Sequence, residues 1–193
     1  VFLPGWEEIT RVREALEKSS ILNAEGSSLW VCVLHSMVAQ AEQRKAFQRP
    51  PIGQRKVVLA TNVAETAITI DDVVCVIDSG RVKEKSYDPY TNVCTLQGTW
   101  ISKASEKQRE GRAGRCRPGI CYHLYSQRKS EVLPEFQLPE LKRTPLEELC
   151  LQVRLIEDKT NISIEEFLSR AVEAPVPNAV RNAVKVLQDI GNR

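Results

Sequence analysis

Four arginines, one glutamine and two glycines fall within residues 108–117, the stretch QREGRAGRCR. We expect residues 102–115 to form one helix. Gln108, Arg112 and Arg115 then lie at positions i, i+4 and i+7 and share a face. Arginine binds phosphate oxygens through two parallel N–H groups, and glutamine can orient an attacking water, so this face suits hydrolysis of a polyphosphate. A solvated basic helix is the alternative, and the residues alone leave both interpretations open.

The positive charge of the chain is local. The 193 residues carry a formal net charge of +2, which alone does not indicate a nucleic-acid-binding protein. Residues 101–119 hold six basic and two acidic side chains, a net +4, so the remainder sums to −2. Gly111 and Gly114 each cost about 1 kcal/mol in a helix relative to alanine. Their presence is explained if a phosphate or another surface approaches the backbone closely.

Apolar runs alternate with helical patterns over the first 80 residues. Continuous apolar runs predict buried strands at 29–35, 56–61 and 73–78. The opening residues VFL are predicted to be the end of a further strand. Apolar positions at helical spacing predict helices at 5–19 and 38–47. Such alternation is typical of a parallel sheet flanked by helices.

The later part of the chain has a different pattern. Two alternating segments within residues 81–97 surround the turn-rich stretch 88–92, which predicts a projecting β-hairpin. A further strand is predicted within 119–126, and the pattern is helical from Thr144 onward. We therefore expect two domains, 1–157 and 158–193, and we expect both ends of the chain to be truncated.

Composition excludes several classes of protein. No apolar run approaches the roughly 18 residues of a transmembrane helix, and no signal peptide opens the chain. No two of the six cysteines are spaced as zinc ligands usually are, so we expect no metal site and an intracellular location, cytoplasm or nucleus. Trp6, Trp30 and Trp100 are not interleaved with basic residues, which predicts packing rather than base stacking.

Several ordered stretches resemble the motifs of superfamily 2 helicases, and of the DEAH/RNA helicase A group in particular. The fourth, fifth and sixth motifs of that family are similar to FLPGWEEI (2–9), VVLATNVAETAITIDDVVCVIDSG (57–80) and QREGRAGR (108–115). The group's segment leading into a winged-helix domain is similar to PELKRTPLEELCLQVRL (139–155). The flanks are most similar to the RNA helicase A-like subgroup, which includes a member carrying a YTH domain.

The resemblance implies a fold and a nucleotide site. The fold is a RecA-like parallel sheet flanked by helices with a projecting β-hairpin, followed by helices that lead into a winged-helix module. Arg112 and Arg115 match arginine fingers that contact the terminal phosphate of ATP. Gln108 matches the residue that positions the hydrolytic water, and Asp71 matches an aspartate near the nucleotide sugar.

The resemblance also implies contacts with the backbone of single-stranded RNA, independent of base sequence. The matching residues are Gly5, Ser36, Thr61 and Asn62. Hydroxyl, amide and backbone N–H groups at strand ends suit such contacts, although from the residues alone Thr61 and Asn62 could form an ordinary strand-end cap. Ala67 and Glu110 depart from the family's usual serine and alanine.

The 193 residues contain neither a G-x-x-x-x-G-K-[ST] phosphate loop nor an acidic magnesium box. The resemblance therefore implies the second motor domain of an ATP-dependent RNA helicase, with ATP and Mg²⁺ held mainly by a first RecA-like domain of the same parent chain. We expect this chain alone to be inactive as an ATPase. The alternative is a helicase-like RNA-binding or scaffold module without ATPase activity. Protein adaptors are further candidate partners, and no membrane contact is expected.

Overall fold

The computed structural model describes residues 1–20, 22, 28–66, 68–88, 91, 93–160 and 162–191. They form two units, one from Val1–Lys83 with Gly98–Gln137 and the other from Glu84–Gln97 with Leu138–Arg193. The predicted domain boundary follows residue 157, and the side chains of residues 157–160 are not among those described. The division into 1–157 and 158–193 stays a prediction.

The helices and strands follow one another in an order close to that predicted. They are α1 (Trp6–Lys18), β1 (Ser28–Leu34), α2 (Gln40–Gln43), β2 (Gln54–Ala60), β3 (Cys75–Asp78), β4 (Arg81–Asp88), β5 (Val93–Trp100), α3 (Lys103–Glu110), β6 (Ile120–His123), α4 (Gln127–Glu131), α5 (Glu147–Thr160), α6 (Ile164–Ser169) and α7 (Pro177–Gly191). Short 3₁₀ helices cover Arg44–Phe47, Asn62–Ala64 and Glu140–Lys142.

A parallel sheet lies at the centre of the first unit, which confirms the predicted fold class. β1 runs parallel to β2 with Leu34 opposite Ala60, and β3 runs parallel to β6 with Asp78 opposite His123. Phe2 joins the two pairs through parallel bridges to Ala60 and to Asp78. The carboxyl ends of all these strands therefore meet at one edge, which we call the carboxyl edge.

Alternate residues of the strands face opposite sides of the sheet, and each side is covered. On the α1 side, Ile9 packs with Leu3 and Leu59. The opposite side holds a second cluster of fully buried residues, namely Phe2, Cys32, Leu34, Ala46, Ala60, Ala64, Val76 and Ala113. Burial on both sides explains why the strands are continuous apolar runs in the sequence.

The helix predicted at 38–47 is shorter than expected. α2 ends at Gln43, and a 3₁₀ turn follows to Phe47. The Lys56 ammonium donates to the carbonyls of Ala46 and Gln48 at 3.0 and 2.7 Å. These carbonyls lie at the end of the helical segment, where backbone acceptors have no partner within the helix, and the lysine supplies one. A 3₁₀ turn is common at such a helix end.

The predicted hairpin is present, since β4 and β5 pair with each other. Most of its predicted turn, 88–92, lies outside the described residues. The second unit has its own core, built by α5, α6, α7 and the residue before α5, namely from Leu146, Cys150, Val153, Leu168, Ala179, Val180 and Ala183. The predicted winged-helix module stays a prediction. Among the described residues, no helix has the length and apolar character needed to cross a membrane.

Candidate nucleotide and nucleic-acid site

The residues predicted to contact RNA follow the ends of neighbouring strands at the carboxyl edge. Ser36 comes two residues after β1, and Thr61 and Asn62 come directly after β2. Ser36 and Asn62 are exposed, whereas Thr61 is only 5% exposed. Two of these positions thus offer hydroxyl and amide groups to solvent at the same edge.

Gly5 stands at the N-terminal cap of α1, three residues after Phe2, which bridges β2 and β3. A Cβ at this position would lie 2.8 Å from the Lys83 side chain. The Lys83 ammonium pairs with Glu8 at 3.0 Å. The glycine therefore allows a lysine to approach the start of the helix, and this side of Gly5 does not face open solvent.

The helix predicted over 102–115 ends early, and this part of the prediction is wrong. α3 begins after Ser102, whose hydroxyl accepts from the Ser105 N–H at 3.2 Å, and it ends at Glu110. Beyond Gly111 the Arg112 N–H bonds to the Arg109 carbonyl at 3.1 Å, a tighter turn than that of an α-helix. The low helix propensity of glycine explains the end point.

Arg112 and Arg115 nevertheless meet, because both donate to one carbonyl. Their Nη1 atoms lie 2.6 and 3.3 Å from the Ile68 oxygen. Arg115 Nη1 also donates to Thr69 Oγ1. Burial, and secondly the neighbouring Arg115 charge, lower the pKa of the Arg112 guanidinium. An anion placed here would relieve the repulsion between the two cations.

The other two predicted nucleotide residues lie close by. Gln108 is exposed on α3, and its backbone carbonyl accepts from Arg112 Nε at 3.2 Å. Asp71 is exposed and accepts from the Cys116 thiol at 3.8 Å. Asp71, Arg112 and Arg115 line one open cavity of about 1320 Å³, so the structure brings these three together, while Gln108 is linked to them through Arg112.

Arg109 is the residue that the sequence prediction missed. It is 0% exposed, and its guanidinium donates to Glu65 and to Asp78, each at 2.7 Å. Its Cζ also lies 4.9 Å from the centroid of the Phe2 ring. The sequence did contain a sign of this. The inward face of this helix has no large apolar residue, so a polar side chain must be buried there, and a buried arginine needs acidic partners. Asp78 closes a buried strand and is one of them.

One of the two departures from the family pattern lies within the described residues. Glu110 is exposed at the end of α3. Ala67 lies outside the described residues. The part of the chain that the structure describes brings no three histidine, cysteine or carboxylate side chains together in a group that could hold a metal ion.

Comparisons with known proteins agree with this fold and site. A family model described as the helicase conserved C-terminal domain matches residues 1–117. The chain is 56% identical over 191 residues to the DExH-box ATP-dependent RNA helicase DExH6 of Arabidopsis thaliana, and 44% identical over 190 residues to the ATP-dependent DNA/RNA helicase DHX36 of Homo sapiens. These matches cover 99% and 98% of this chain but only 14% and 18% of the two relatives.

A solved structure, that of the Escherichia coli DEAH/RHA helicase HrpB, matches with a TM-score of 0.84 and 33% identity. The match covers 98% of this chain and 23% of that one. The likeness therefore extends over both units of the chain, but it spans less than a quarter of the larger protein. That this chain is most similar, within the subgroup, to the member carrying a YTH domain stays a prediction.

Proposed function

Because this chain belongs to the helicase conserved C-terminal domain family, among the DExH-box ATP-dependent RNA helicases, we propose that it is the second motor domain of such an enzyme. It has the RecA-like fold of these helicases. Since the chain spans only 14–18% of the two curated relatives described above, the activity of the whole protein is part of the proposal. The proposed reaction is RNA-dependent hydrolysis of ATP.

The convergence of Arg112 and Arg115 on one carbonyl carries the proposal. Two guanidinium groups held side by side can bind the oxygens of a terminal phosphate and stabilise the charge that develops during its transfer. In this proposal Gln108, exposed on the preceding helix, orients the water, and Asp71 contacts the nucleotide sugar. Mg²⁺, held mainly by the first RecA-like domain together with ATP, would neutralise charge on the phosphates.

The carboxyl edge supports the RNA part of the proposal. Ser36 and Asn62 present a hydroxyl and an amide there, and such groups bind a nucleic-acid backbone without reading its sequence. Closing of the two motor domains on ATP would bring the arginines to the phosphate, and opening after hydrolysis would shift this domain along the strand. Gly5 and Thr61 complete the proposed contacts, through backbone N–H in the case of Gly5.

We expect the isolated chain to bind ATP weakly and not to hydrolyse it, because the phosphate loop and the magnesium carboxylates are absent from its sequence. The measurement is steady-state phosphate release by the purified chain beside the full-length protein, each with and without single-stranded RNA. Hydrolysis by the isolated chain at the rate of the full-length protein would contradict a divided site.

We expect Asn62→Ala, made in the full-length protein, to raise the RNA concentration for half-maximal ATPase by roughly 10- to 100-fold. A hydrogen bond to a charged group is worth about 1.5–3 kcal/mol, and about 1.4 kcal/mol is a tenfold change in affinity. The maximal rate at saturating RNA should change much less. Gln54→Ala, at the opposite end of β2, is the matched control, and an equal effect there would exclude a specific contact.

The proposed location is intracellular, in the nucleus or the cytoplasm. The described structure leaves all six cysteines free, as is usual for proteins of reducing compartments. Protein adaptors are a further part of the proposal, since a domain that acts on RNA backbone alone needs another source of target selection.

A further inference from the structure

Trp100, the last residue of β5, makes cation–π contacts with two side chains. The Arg81 guanidinium carbon is 3.7 Å from the centroid of the Trp100 ring, and the Lys129 ammonium is 4.7 Å from it. Both distances are within the range of cation–π attraction. Because the two cations lie over one ring, their charges are within roughly 8 Å of each other, about one Debye length at physiological ionic strength.

The Trp100 ring is held firmly in place. It packs against the cluster of Val82, Ile101 and Leu133, and it meets Tyr125 edge-on at 5.9 Å between ring centroids. Gly80 permits this arrangement, because its φ is +69° and a Cβ there would overlap the Tyr125 ring. The Tyr125 hydroxyl in turn donates to Glu106 at 2.8 Å. The ring is therefore a fixed support for the two cations.

Within the described part of the chain, the two charges have no acidic partner. Among the described residues, neither the Arg81 nor the Lys129 side chain forms an ion pair, whereas nearby in sequence Lys103 pairs with Glu135 at 2.7 Å. One cation is enough for a cation–π contact, and a second adds repulsion. An anion bound by both would remove that repulsion.

The pair lies at the carboxyl edge. Arg81 comes three residues after the end of β3, and the α4 helix that carries Lys129 begins four residues after the end of β6. β3 and β6 are parallel neighbours, so these segments leave the sheet at the same edge. Ser36 and Asn62 follow β1 and β2 at that edge. The cations thus continue the proposed RNA surface toward the β6 side of the sheet.

We propose that Arg81 and Lys129 bind a backbone phosphate of single-stranded RNA that runs along the carboxyl edge. This inference rests on the proposed function, because it extends the same RNA surface. A phosphate fits the pair better than a base does, since the Arg81 guanidinium occupies a ring face on which a base would stack. The forked arginine and the ammonium together supply charged donors to phosphate oxygens.

The test measures how the affinity of the full-length protein for a fluorescein-labelled single-stranded RNA of mixed sequence depends on salt. Each lost phosphate contact lowers the slope of log K against log salt concentration by about 0.7 for a single strand. We expect that decrease for the double change Arg81→Ala and Lys129→Ala, a smaller decrease for either single change, and little change for Arg81→Lys. Arg55→Ala is the control, because Arg55 is an exposed arginine near the amino end of β2, at the opposite edge. Thermal unfolding of each variant checks that the fold is kept.

The outcomes separate this inference from the function it rests on. If the unaltered protein does not bind RNA, the proposed function fails. If it binds, but the slope of the double variant equals that of Arg55→Ala, the phosphate site is wrong and the RNA surface ends before β3. The pair would in that case be a surface for an acidic protein segment.

Discussion

In the full-length protein, Arg112→Ala or Arg115→Ala should lower RNA-stimulated ATP hydrolysis by about 10³- to 10⁵-fold, the contribution measured for arginine fingers in phosphoryl transfer. The reason is that the charge they would stabilise develops during the reaction, so the loss falls on kcat more than on the affinity for ATP. RNA binding without nucleotide should change little, since neither residue follows a strand at the carboxyl edge. The measurement is steady-state phosphate release at saturating ATP and RNA.

Two comparisons sharpen this experiment. Arg112→Lys keeps the charge but loses the fork, so it should restore only a small part of the rate. Arg117→Ala removes an exposed arginine two residues beyond Arg115 and should have a far smaller effect. Hydrolysis that survives in both Arg112→Ala and Arg115→Ala would contradict the assigned roles and favour the scaffold alternative.

Arg109→Met is expected to destabilise the first unit by about 3–5 kcal/mol, the usual cost of removing one partner from a buried ion pair. Glu65 and Asp78 would be left as carboxylates in a site from which water is excluded, since Arg109 and Asp78 are each 0% exposed. Hydrogen exchange within α3 and β3 of the full-length protein should report the loss, because Arg109 lies on α3 and its partner Asp78 on β3.

The control for Arg109→Met is a substitution that removes both sides of the pair. Asp78→Asn combined with Arg109→Met should cost less than the sum of the two single changes, because only the Glu65 carboxylate is then left without its partner. Arg109→Lys should be intermediate, since an ammonium cannot reproduce the two bonds of 2.7 Å made by one planar group. Additive costs would show that Arg109 and Asp78 do not stabilise each other.

The parallel sheet could be predicted because burial on both sides leaves a simple trace, short apolar runs separated by helical segments. β1 and β2 differ from the predicted ranges by only one or two residues. The ends of α2 and α3 could not be predicted in the same way. α2 passes into a 3₁₀ turn at whose end the Lys56 ammonium donates to two carbonyls, a contact between residues about ten positions apart that periodicity does not show.

The site was predictable in its members but not in its geometry. Helical phase put Arg112 and Arg115 together for the wrong reason, since α3 ends before either of them and the Ile68 carbonyl joins them instead. Trp100 was expected only to pack, because Arg81 and Lys129 are distant from it in sequence. Contacts of this kind depend on the fold, and a single sequence does not record which strand ends become neighbours.

The Ile68 carbonyl has a consequence for turnover. Any phosphate that binds Arg112 and Arg115 competes with an acceptor that the domain itself supplies. A charge-assisted hydrogen bond is about twice as strong as a neutral one, so the arginines prefer phosphate to the Ile68 carbonyl. The net gain is only the difference in strength between these two kinds of hydrogen bond. When the product leaves, the arginines return to a partner already in place. In the proposed site the same carbonyl would lower the affinity for phosphate and shorten the time for which the product stays bound.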